Sequence, residues 1–329
     1  MSIDWQPFRE FVQKHHRFLL LTHVRPDPDA LGSLLAMADC LTQLGKVVRP
    51  VIQGPMPERL AFLDADNRVQ TFVPPGDTLR DVDAVIVMDT GTWNQLGDTG
   101  TFVRSLGIPV AVIDHHVTQD IDTPFRFVDV TAEAAGRLIY DASVALGIEL
   151  TPPTATRMFA ALATDTGWFR HASTKPSTYR LAESLMTQGA NPTKIYDSLY
   201  EQGTLAQMQL LGRVLGRLQT AHLGRLAWTE LWQSDLQQSG VGTVDSGDFI
   251  HYPRSLAGVD VAMLLTEWPE RVKISFRSRG RVDVSQIAEQ FGGGGHRMAA
   301  AAILPGDLQT VRAQIVALFE PLLLALPPA

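Results

Sequence analysis

Residues 17–45 read RFLLLTHVRPDPDALGSLLAMADCLTQLG, which is a short apolar run, an acidic turn with two prolines, and then apolar residues at helical spacing. Strands and helices continue to alternate along the first part of the chain, where the further apolar runs are KVVRPVIQG, DAVIVMDT and IPVAVIDHH. Apolar runs that alternate with helices are typical of a mainly parallel sheet covered by helices on both faces. The sequence therefore predicts an α/β fold.

A second, smaller α/β domain is predicted after the first. The chain has 329 residues, which is about twice the usual size of a domain. We expect the first domain over residues 1–190, a helical connector over residues 191–219 and the second domain over residues 220–329, with a cleft between the two domains. The second domain has the strand-like stretches GRLAWTELW, VDVAMLLTEW and RVKISFRSRG, followed by an apolar helical pattern.

Composition and charge exclude several classes of protein. Hydrophobic residues make up 45% of the chain, which is enough for packed cores and too many for a disordered protein. The net charge of -7 argues against a non-specific binder of duplex DNA, which would be basic overall. A local basic pocket for a short anionic substrate is still compatible with this charge.

The sequence predicts a cytoplasmic protein that does not bind a membrane. The stretch MSIDWQPFREF lacks a signal-peptide pattern, and no apolar run reaches the ~18 residues of a membrane span. Cys40 is the only cysteine, so no intrachain disulfide can form. The apolar neighbours of Cys40 at helical spacing predict that its side chain is buried.

Carboxylates and imidazoles stand at or just beyond the ends of the apolar runs and helical segments. Six of them are candidate metal ligands: His23, Asp27, Asp29, Asp89, His115 and Asp165. An open α/β sheet binds its ligands at this edge, and mixed oxygen and imidazole ligands suit Mn²⁺ or Mg²⁺. A turn or a helix cap explains each motif alone nearly as well, but four such motifs in one predicted domain favour a metal site.

Two metal ions would give this site the chemistry of a phosphoesterase. A phosphodiester is an anion that repels a nucleophile, and two cations about 3.5–4 Å apart can neutralise it, generate hydroxide and stabilise the leaving oxygen. One carboxylate must bridge the two ions. Asp89, which stands alone at the end of a buried apolar run, suits that role.

These motifs resemble those of the DHH phosphoesterase superfamily. The four catalytic motifs of that superfamily are similar to HVRPDPDALGS, VMDTG, VIDHH and ATDTG, and its C-terminal DHHA1 substrate domain is similar to FGGGGHRMAAAA preceded by SFRS. The resemblance covers nearly the whole chain and extends to the branch of nanoRNases and pAp phosphatases, which degrade very short RNA and in many cases remove the 3′ phosphate of pAp. It implies two Mn²⁺ ions per active site, with Mg²⁺ as the alternative.

Two departures from the family pattern are visible. Ala301 replaces the usual glycine after the GGGGH motif, which slightly tightens that loop. The segment TAEAAGRLIYDA at residues 131–142 lacks an expected pair of Ser or Thr residues, so the sequence assigns no chemistry to it.

The resemblance also implies a role for each residue of the site. His23 and Asp27 would bind one ion, Asp29, His115 and Asp165 would bind the other, and Asp89 would bridge the two. Asp114 would orient a ligand imidazole. His116 would contact the scissile phosphate and protonate the leaving oxygen. The alternative for the two adjacent histidines is one packed and one exposed side chain.

A glycine loop and a basic strand are candidate substrate contacts in the second domain. The residues concerned are Arg277, Gly293, Gly294, Gly295, His296 and Arg297. Because glycine has no Cβ, its N–H group can approach a phosphate or sugar closely, and the guanidinium of Arg277 can bind a phosphate through two hydrogen bonds. A flexible loop and a solvated basic face are the alternatives, and the resemblance favours contact with a ligand.

The leading hypothesis is a metal-dependent phosphodiesterase that degrades dinucleotides and oligonucleotides of two to five nucleotides to mononucleotides, with pAp as a further substrate. The expected partners are short RNA or DNA, dinucleotides and pAp, and a homodimer is left open. A RecJ-type exonuclease usually carries additional strand-binding domains, and inorganic pyrophosphatases lack the GGGGH domain. A catalytically inactive nucleotide-binding sensor would be free to lose acids, whereas the ligand set here is complete.

Overall fold

The structure, a computed structural model, describes residues 3–241 and 249–327. Backbone contacts divide the chain into two compact units, Met1–Gln202 and Gly203–Ala329. The division falls inside the segment 191–219, so the two helices of that segment belong to different units. Each unit has its own sheet and its own hydrophobic core.

The first unit alternates strands and helices, as the apolar runs predict. Its strands are β1 (Arg17–Leu21), β2 (Val47–Ile52), β3 (Gln70–Thr71), β4 (Ala84–Met88), β5 (Val110–Asp114) and β6 (Phe125–Val128). Its helices are α1 (Gln6–Lys14), α2 (Pro28–Gln43), α3 (Trp93–Leu96), α4 (Asp98–Leu106), α5 (Ala135–Leu146), α6 (Pro152–Asp165), α7 (Pro176–Thr187) and α8 (Pro192–Tyr200). The strands form one parallel sheet in the order β3-β2-β1-β4-β5-β6.

The central strands of this sheet are buried on both faces. Leu20 and Ile86 belong to the core formed with α1, α2, α5 and α6, whereas Leu21 and Val87 pack with Phe102 of α4 on the other face. This double cover is the predicted α/β arrangement, which is confirmed. The strand order reverses between β1 and β4, and the carboxyl ends of the strands at such a switch point are where open α/β sheets bind ligands.

The second, smaller unit is a sheet with helices on both faces. Its strands are β7 (Gln219–Ala221), β8 (Leu226–Leu231), β9 (Val261–Trp268), β10 (Arg271–Ser278), β11 (Gly294–His296) and β12 (Ala299–Pro305). Its helices are α9 (Leu205–Leu215), α10 (Gln233–Ser239), α11 (His251–Ser255), α12 (Val284–Glu289) and α13 (Leu308–Leu324). The sheet order is β11-β12-β10-β9-β8-β7, in which β8 and β9 are parallel and the other neighbours are antiparallel. This confirms the predicted second α/β domain.

Three further observations concern Cys40, the first helix and possible membrane spans. Cys40 is fully buried in α2, as predicted. Helix α1, which was not predicted, buries Phe8, Phe11 and Val12 against the first core. In residues 3–241 and 249–327, no helix combines the length and the apolar character that crossing a membrane requires.

Candidate metal centre

His23, Asp27 and Asp29 follow β1 in the turn that leads into α2. Asp27 is the N-cap of α2, and its carboxylate accepts a hydrogen bond from the backbone N–H of Ala30 at 3.0 Å. Pro28 occupies the first position of the helix, where its missing N–H needs no partner. Asp29 therefore lies in the first turn and is 1% exposed. The helix-cap alternative thus holds for Asp27, which nevertheless lies among the candidate ligands.

Asp89 directly follows β4, and its backbone is left-handed with a φ of 60°. This conformation costs about 1–3 kcal/mol in a residue other than glycine and is concentrated at functional sites. The backbone N–H of Asp89 donates to the carbonyl of Ile113 at 3.0 Å, which fixes the residue beside the end of β5. The side chain is almost completely buried. The unusual backbone therefore holds one carboxylate at the carboxyl edge of the sheet.

The remaining candidate ligands come from β5 and α6. His115 and His116 follow Asp114, the last residue of β5, and Asp165 is the last residue of α6. Because β1, β4 and β5 are adjacent and parallel, their carboxyl ends meet at one edge of the sheet. The strand order therefore brings together motifs that are distant in the sequence.

Asp89 lies between two imidazoles. Its Oδ2 is 3.4 Å from Nε2 of His23, and its Oδ1 is 3.3 Å from Nε2 of His115. The same nitrogen of His115 is 3.6 Å from Oδ2 of Asp165 and 3.8 Å from Oδ2 of Asp29. The candidate ligands form two groups, and within each group the potential ligand atoms lie within 4.8 Å of one another. One group is His23, Asp27 and Asp89, and the other is Asp29, His115 and Asp165. The structure thus brings all six candidate ligands together.

Backbone carbonyls orient both of these imidazoles. Nδ1 of His23 is 3.0 Å from the carbonyl oxygen of Val24, and Nδ1 of His115 is 3.3 Å from that of Ala132. A ring that donates from Nδ1 keeps the lone pair on Nε2, which is the usual arrangement of a metal-binding histidine. Both Nε2 atoms are the ones that face Asp89.

The buried oxygens of the centre fit divalent cations. Oδ1 of Asp89 is buried and has no hydrogen bond among the described residues, an unfavourable state for a carboxylate oxygen unless a cation compensates it. The donors are carboxylates and imidazoles, with no thiolate among them. Such a set suits Mn²⁺ or Mg²⁺ better than a soft metal ion.

The electrostatics of the centre favour positive charge among the carboxylates. Burial raises the pKa of Asp29 well above its usual range, and the charges of Asp89 and Asp165 raise it further. Burial lowers the pKa of His115, but the contact with Asp89 and the charges of Asp29 and Asp165 outweigh this effect and raise the pKa to about 10. Burial also lowers the pKa of His23, but Asp89 raises it to about 9. Bound cations would take the place of these two protons.

His116 and Asp114 form a pair beside the candidate metal ligands. Oδ1 of the fully buried Asp114 lies 2.8 Å from Nδ1 of His116, whose side chain is 55% exposed. The resemblance implied that Asp114 orients a ligand imidazole, whereas in the structure it binds His116, and the ring of His115 contacts Ala132 instead. Nδ1 of His116 is also 3.8 Å from Oδ1 of Asp89, so a group of Asp89, His115 and His116 is a further geometrically possible ligand set.

Two residues without functional side chains hold Asp29 in place. The backbone N–H groups of Ala135 and Gly136, at the start of α5, donate to the Asp29 carboxylate at 2.7 and 2.8 Å. A Cβ atom on Gly136 would lie 2.5 Å from the Cβ of Ala161 in α6, so glycine is needed for this approach. The sequence assigned no chemistry to this segment, and its one usable signal was a glycine at the start of a helical pattern.

Arg277 of the second unit has the properties of an anion-binding residue. Its guanidinium is partly buried, and its hydrogen bond within the described residues goes to the carbonyl of Phe276 at 3.0 Å. Burial lowers the pKa of Arg277, and the nearby charge of Arg254 lowers it further. No carboxylate among the described residues forms an ion pair with it. A half-buried cation without a counter-ion is suited to bind a phosphate.

The second half of the glycine segment belongs to a strand, β11. Gly294 and His296, at the two ends of β11, pair with β12 opposite Ala301 and Ala299. A Cβ atom on Gly293 would lie 2.2 Å from the carbonyl oxygen of Ala301, and one on Gly295 would be similarly close to β12. The side chains of His296 and Arg297 are exposed. The glycines therefore allow close strand pairing, which fixes the backbone beside these two side chains.

An open parallel sheet that carries this set of candidate ligands at its switch point, followed by a smaller unit in which Arg277 has no carboxylate partner among the described residues, is the architecture of a metal-dependent phosphoesterase. The family model for the DHH family, N-terminal domain, matches residues 17–164, and the DHHA1 domain model matches residues 231–320. The chain belongs to the DHH family and carries a DHHA1 domain. It is therefore a metal-dependent hydrolase of phosphate esters.

Several known proteins are similar to this chain along most of its length. A bifunctional oligoribonuclease and PAP phosphatase NrnA from Thermus thermophilus is 33% identical over 294 residues, which cover 87% of this chain and 84% of the relative. A protein of the same description from Bacillus subtilis is 24% identical over 88% of this chain and 90% of its own length. The crystal structure of an exopolyphosphatase-related protein from Bacteroides fragilis has the same fold, with a TM-score of 0.89, 22% identity and 97% of each chain covered.

Proposed function

We propose that the protein hydrolyses dinucleotides and other very short oligonucleotides to mononucleotides, and that it also removes a phosphate from pAp. The observation that carries this proposal is the position of Asp89, whose two oxygens face two different imidazoles at 3.4 and 3.3 Å. This is the arrangement expected of a carboxylate shared by two ions. The choice of substrate is supported by the similarity to relatives described as oligoribonucleases and PAP phosphatases.

Two Mn²⁺ ions are the proposed cofactor, with Mg²⁺ as the alternative. His23 and Asp27 would hold one ion and Asp29, His115 and Asp165 the other, with Asp89 shared, in agreement with the two groups of nearby ligand atoms. When bound, two such ions supply a nucleophilic hydroxide and neutralise charge on the phosphate. The protein would supply six fixed ligands, and the amide groups at the start of α5 hold one of them, Asp29.

His116 is proposed as the proton donor to the leaving oxygen. The hydrogen bond from Nδ1 of His116 to Asp114 raises the pKa of His116, and the charges of Asp114 and Asp89 outweigh the opposing effect of burial. The ring is therefore protonated near neutral pH more readily than an ordinary histidine. Because Asp114 occupies Nδ1, Nε2 is the nitrogen available to a substrate. A positioned acid of this kind accelerates a reaction by about 10²–10⁴-fold.

Residues of the second unit are proposed to bind the rest of the substrate. Arg277 would bind a phosphate that is not being cleaved, because its partly buried guanidinium has no carboxylate partner among the described residues. The backbone of Gly293, Gly294 and Gly295, with His296 and Arg297, would contact the adjacent sugar or phosphate. Binding energy far from the reacting bond also orients the reacting phosphate.

A panel of substrates with Mn²⁺ tests the proposal. Initial rates are measured for pAp and for a dinucleotide, a pentanucleotide and a 20-nucleotide strand of one sequence. We expect a higher kcat/KM for the dinucleotide than for the 20-mer, since a net charge of -7 disfavours the binding of a long phosphate backbone. An equal or higher value for the 20-mer would favour a long-strand exonuclease. A complete lack of metal-dependent turnover would favour a nucleotide-binding sensor.

A further inference from the structure

The side chain of Gln119 lies against the pair formed by Asp114 and His116. Its Nε2 donates to Oδ2 of Asp114 and also to the backbone carbonyl of His116 at 3.1 Å. The other oxygen of Asp114 accepts hydrogen bonds from the backbone N–H groups of His115 and His116 and from Nδ1 of His116, at 2.8, 3.2 and 2.8 Å. Both oxygens of this fully buried carboxylate are therefore occupied, and Gln119 is the side chain that holds the second one.

Gly91 closes the other side of Gln119. The two residues form an isolated parallel bridge, and the carbonyl of Gly91 accepts hydrogen bonds from the N–H groups of Asp120 and Ile121 at 2.9 and 3.0 Å. A Cβ atom on Gly91 would lie 1.8 Å from Oε1 of Gln119. The absence of a side chain at Gly91 therefore makes room for the amide. Because Gly91 comes two residues after Asp89, the loop that carries the central carboxylate also confines Gln119.

The position of Gln119 is unfavourable for the stability of the fold in one respect. Oε1 of Gln119 is buried and has no donor among the described residues, and a buried acceptor without a partner is unfavourable. Its Nε2, in contrast, holds Oδ2 of Asp114, and together with the backbone N–H groups that hold Oδ1 it fixes the plane of this carboxylate. In residues 3–241 and 249–327, Asp114 is the residue within hydrogen-bond distance of the His116 ring. A movement of Asp114 would therefore release His116.

We propose that Gln119 is a positioning residue, which fixes Asp114 so that His116 presents Nε2 to the leaving oxygen of the substrate. The inference rests on the proposed role of His116 in phosphodiester hydrolysis. It predicts a loss that depends on the leaving group. An alkoxide needs a proton as it leaves, whereas a p-nitrophenolate leaves without one, so a misplaced acid should impair the first reaction and spare the second.

The experiment compares two substrates in the Mn²⁺-loaded enzyme. One is a dinucleotide, and the other is the p-nitrophenyl ester of a nucleoside monophosphate, whose P–O bond to nitrophenol is cleaved by the same attack. For Gln119→Ala we expect kcat on the dinucleotide to fall by about 10–100-fold, part of the full contribution of a general acid, and kcat on the nitrophenyl ester to fall less than about threefold. Gly91→Ala should produce the same selective loss, because the added methyl group displaces an unaltered Gln119.

The chain offers a matched control in Gln53. Its side chain lies over Gly97 as Gln119 lies over Gly91, with Oε1 at 2.4 Å from the position of a Cβ atom on Gly97. Oε1 of Gln53 accepts a hydrogen bond from the N–H of Asp98 at 2.7 Å, away from the Asp114 and His116 pair. Gln53→Ala should leave the ratio of the two rates unchanged. An equal loss on both substrates for Gln119→Ala, or no loss on either, would overturn the proposal.

A spectroscopic readout separates this inference from the proposed function. In protein freed of metal, ¹⁵N-edited NMR detects the proton on Nδ1 of His116 that is shared with Asp114. We expect its downfield signal to weaken or disappear in Gln119→Ala and to persist in Gln53→Ala. If the wild-type enzyme cleaved neither substrate, the proposed function would fail, yet the signal would still decide whether Gln119 positions His116. A signal unchanged in Gln119→Ala would reject that role.

Discussion

The candidate metal centre of the first unit and strand β10 of the second unit, which carries Arg277, differ in how their charged side chains are paired. In the first unit, the buried carboxylate of Asp29 has several fixed partners, because it accepts hydrogen bonds from Ala135, Gly136 and Ser33 at 2.7, 2.8 and 3.2 Å. In the second unit, Arg277 is partly buried without a carboxylate partner among the described residues. Fixed partners hold a ligand in one geometry, whereas an unpaired cation is available to an incoming anion. Changes in the first unit should therefore affect kcat and metal content, and changes at Arg277 should affect KM.

The replacement Asp89→Ala should have the largest effect. Because two ions would lose a shared ligand, we expect turnover to fall by at least about a thousandfold, in keeping with the several kcal/mol that metal ions supply to such reactions. Circular dichroism and thermal melting check that the fold remains, and elemental analysis counts the bound Mn²⁺. Asp66→Ala, on an exposed turn, is the control. Near-normal activity of folded Asp89→Ala protein would contradict the two-ion assignment.

The replacement His116→Ala should lower kcat by about 10²–10⁴-fold, the range of general acid–base catalysis. Metal content should be retained, because Nδ1 of His116 is bound to Asp114 and the ring is the most exposed of the three imidazoles near Asp89. Kinetics and Mn²⁺ titration are measured on the same preparation. Loss of an ion from this variant would show that His116 is itself a ligand, as the third group of nearby atoms allows.

Metal affinity should rise with pH. Without bound ions, His23 with a pKa of about 9 and His115 with a pKa of about 10 carry protons at pH 7, and metal binding requires the neutral imidazoles. The competing protons become less available as pH rises, so the Kd for Mn²⁺ should fall between pH 7 and pH 9, by up to about tenfold per pH unit for each proton released. Calorimetry in buffers of different ionisation enthalpy counts those protons. A Kd independent of pH would contradict these shifts.

The replacement Arg277→Ala should raise KM by about 10–100-fold, which corresponds to the loss of a charge-assisted hydrogen bond worth about 1.5–3 kcal/mol. Mn²⁺ binding should not change, because the six candidate ligands all lie in the first unit. Arg271→Ala is the matched control, since Arg271 is on the same strand and stacks on Trp268 at 4.9 Å. Initial rates on a dinucleotide measure the effect. Loss of Mn²⁺ in Arg277→Ala would contradict the assignment of metal binding to the first unit alone.

The replacement Gly136→Ala should weaken Mn²⁺ binding by about tenfold, the lower end of the effect of residues that orient metal ligands. The new methyl group would collide with Ala161 and move the start of α5 away from Asp29. The double variant with Ala161→Gly should recover affinity by restoring the space. Gly212→Ala, where nothing lies within 4 Å, is the neutral control. Isothermal titration gives all four values, and a failure of the second change to rescue the first would reject this account.

The sequence predicted the fold and the grouping of the six candidate ligands because both depend on local patterns. A run such as VIVMD shows a buried strand and the acid that ends it, and parallel strand order then brings such ends together. The support of Asp29 from outside its own helix was not predictable, because these donors are the backbone N–H groups of Ala135 and Gly136, more than a hundred residues away. Backbone donors leave no residue-type signal. The contact of Gln119 with Asp114 depends in the same way on the conformation of a loop.

Asp27 is both the N-cap of α2 and a candidate metal ligand, which matters when related sequences are compared. Its carboxylate accepts a hydrogen bond from the N–H of Ala30 at the start of α2, and it also belongs to a group of potential metal ligands. Asparagine is an equally good N-cap but a weaker ligand for a hard cation. A chain with asparagine at this position would keep the helix start, and with it the architecture, while losing affinity for an ion. Sequence similarity and overall fold alone would then not distinguish a relative that only binds nucleotides from one that hydrolyses them.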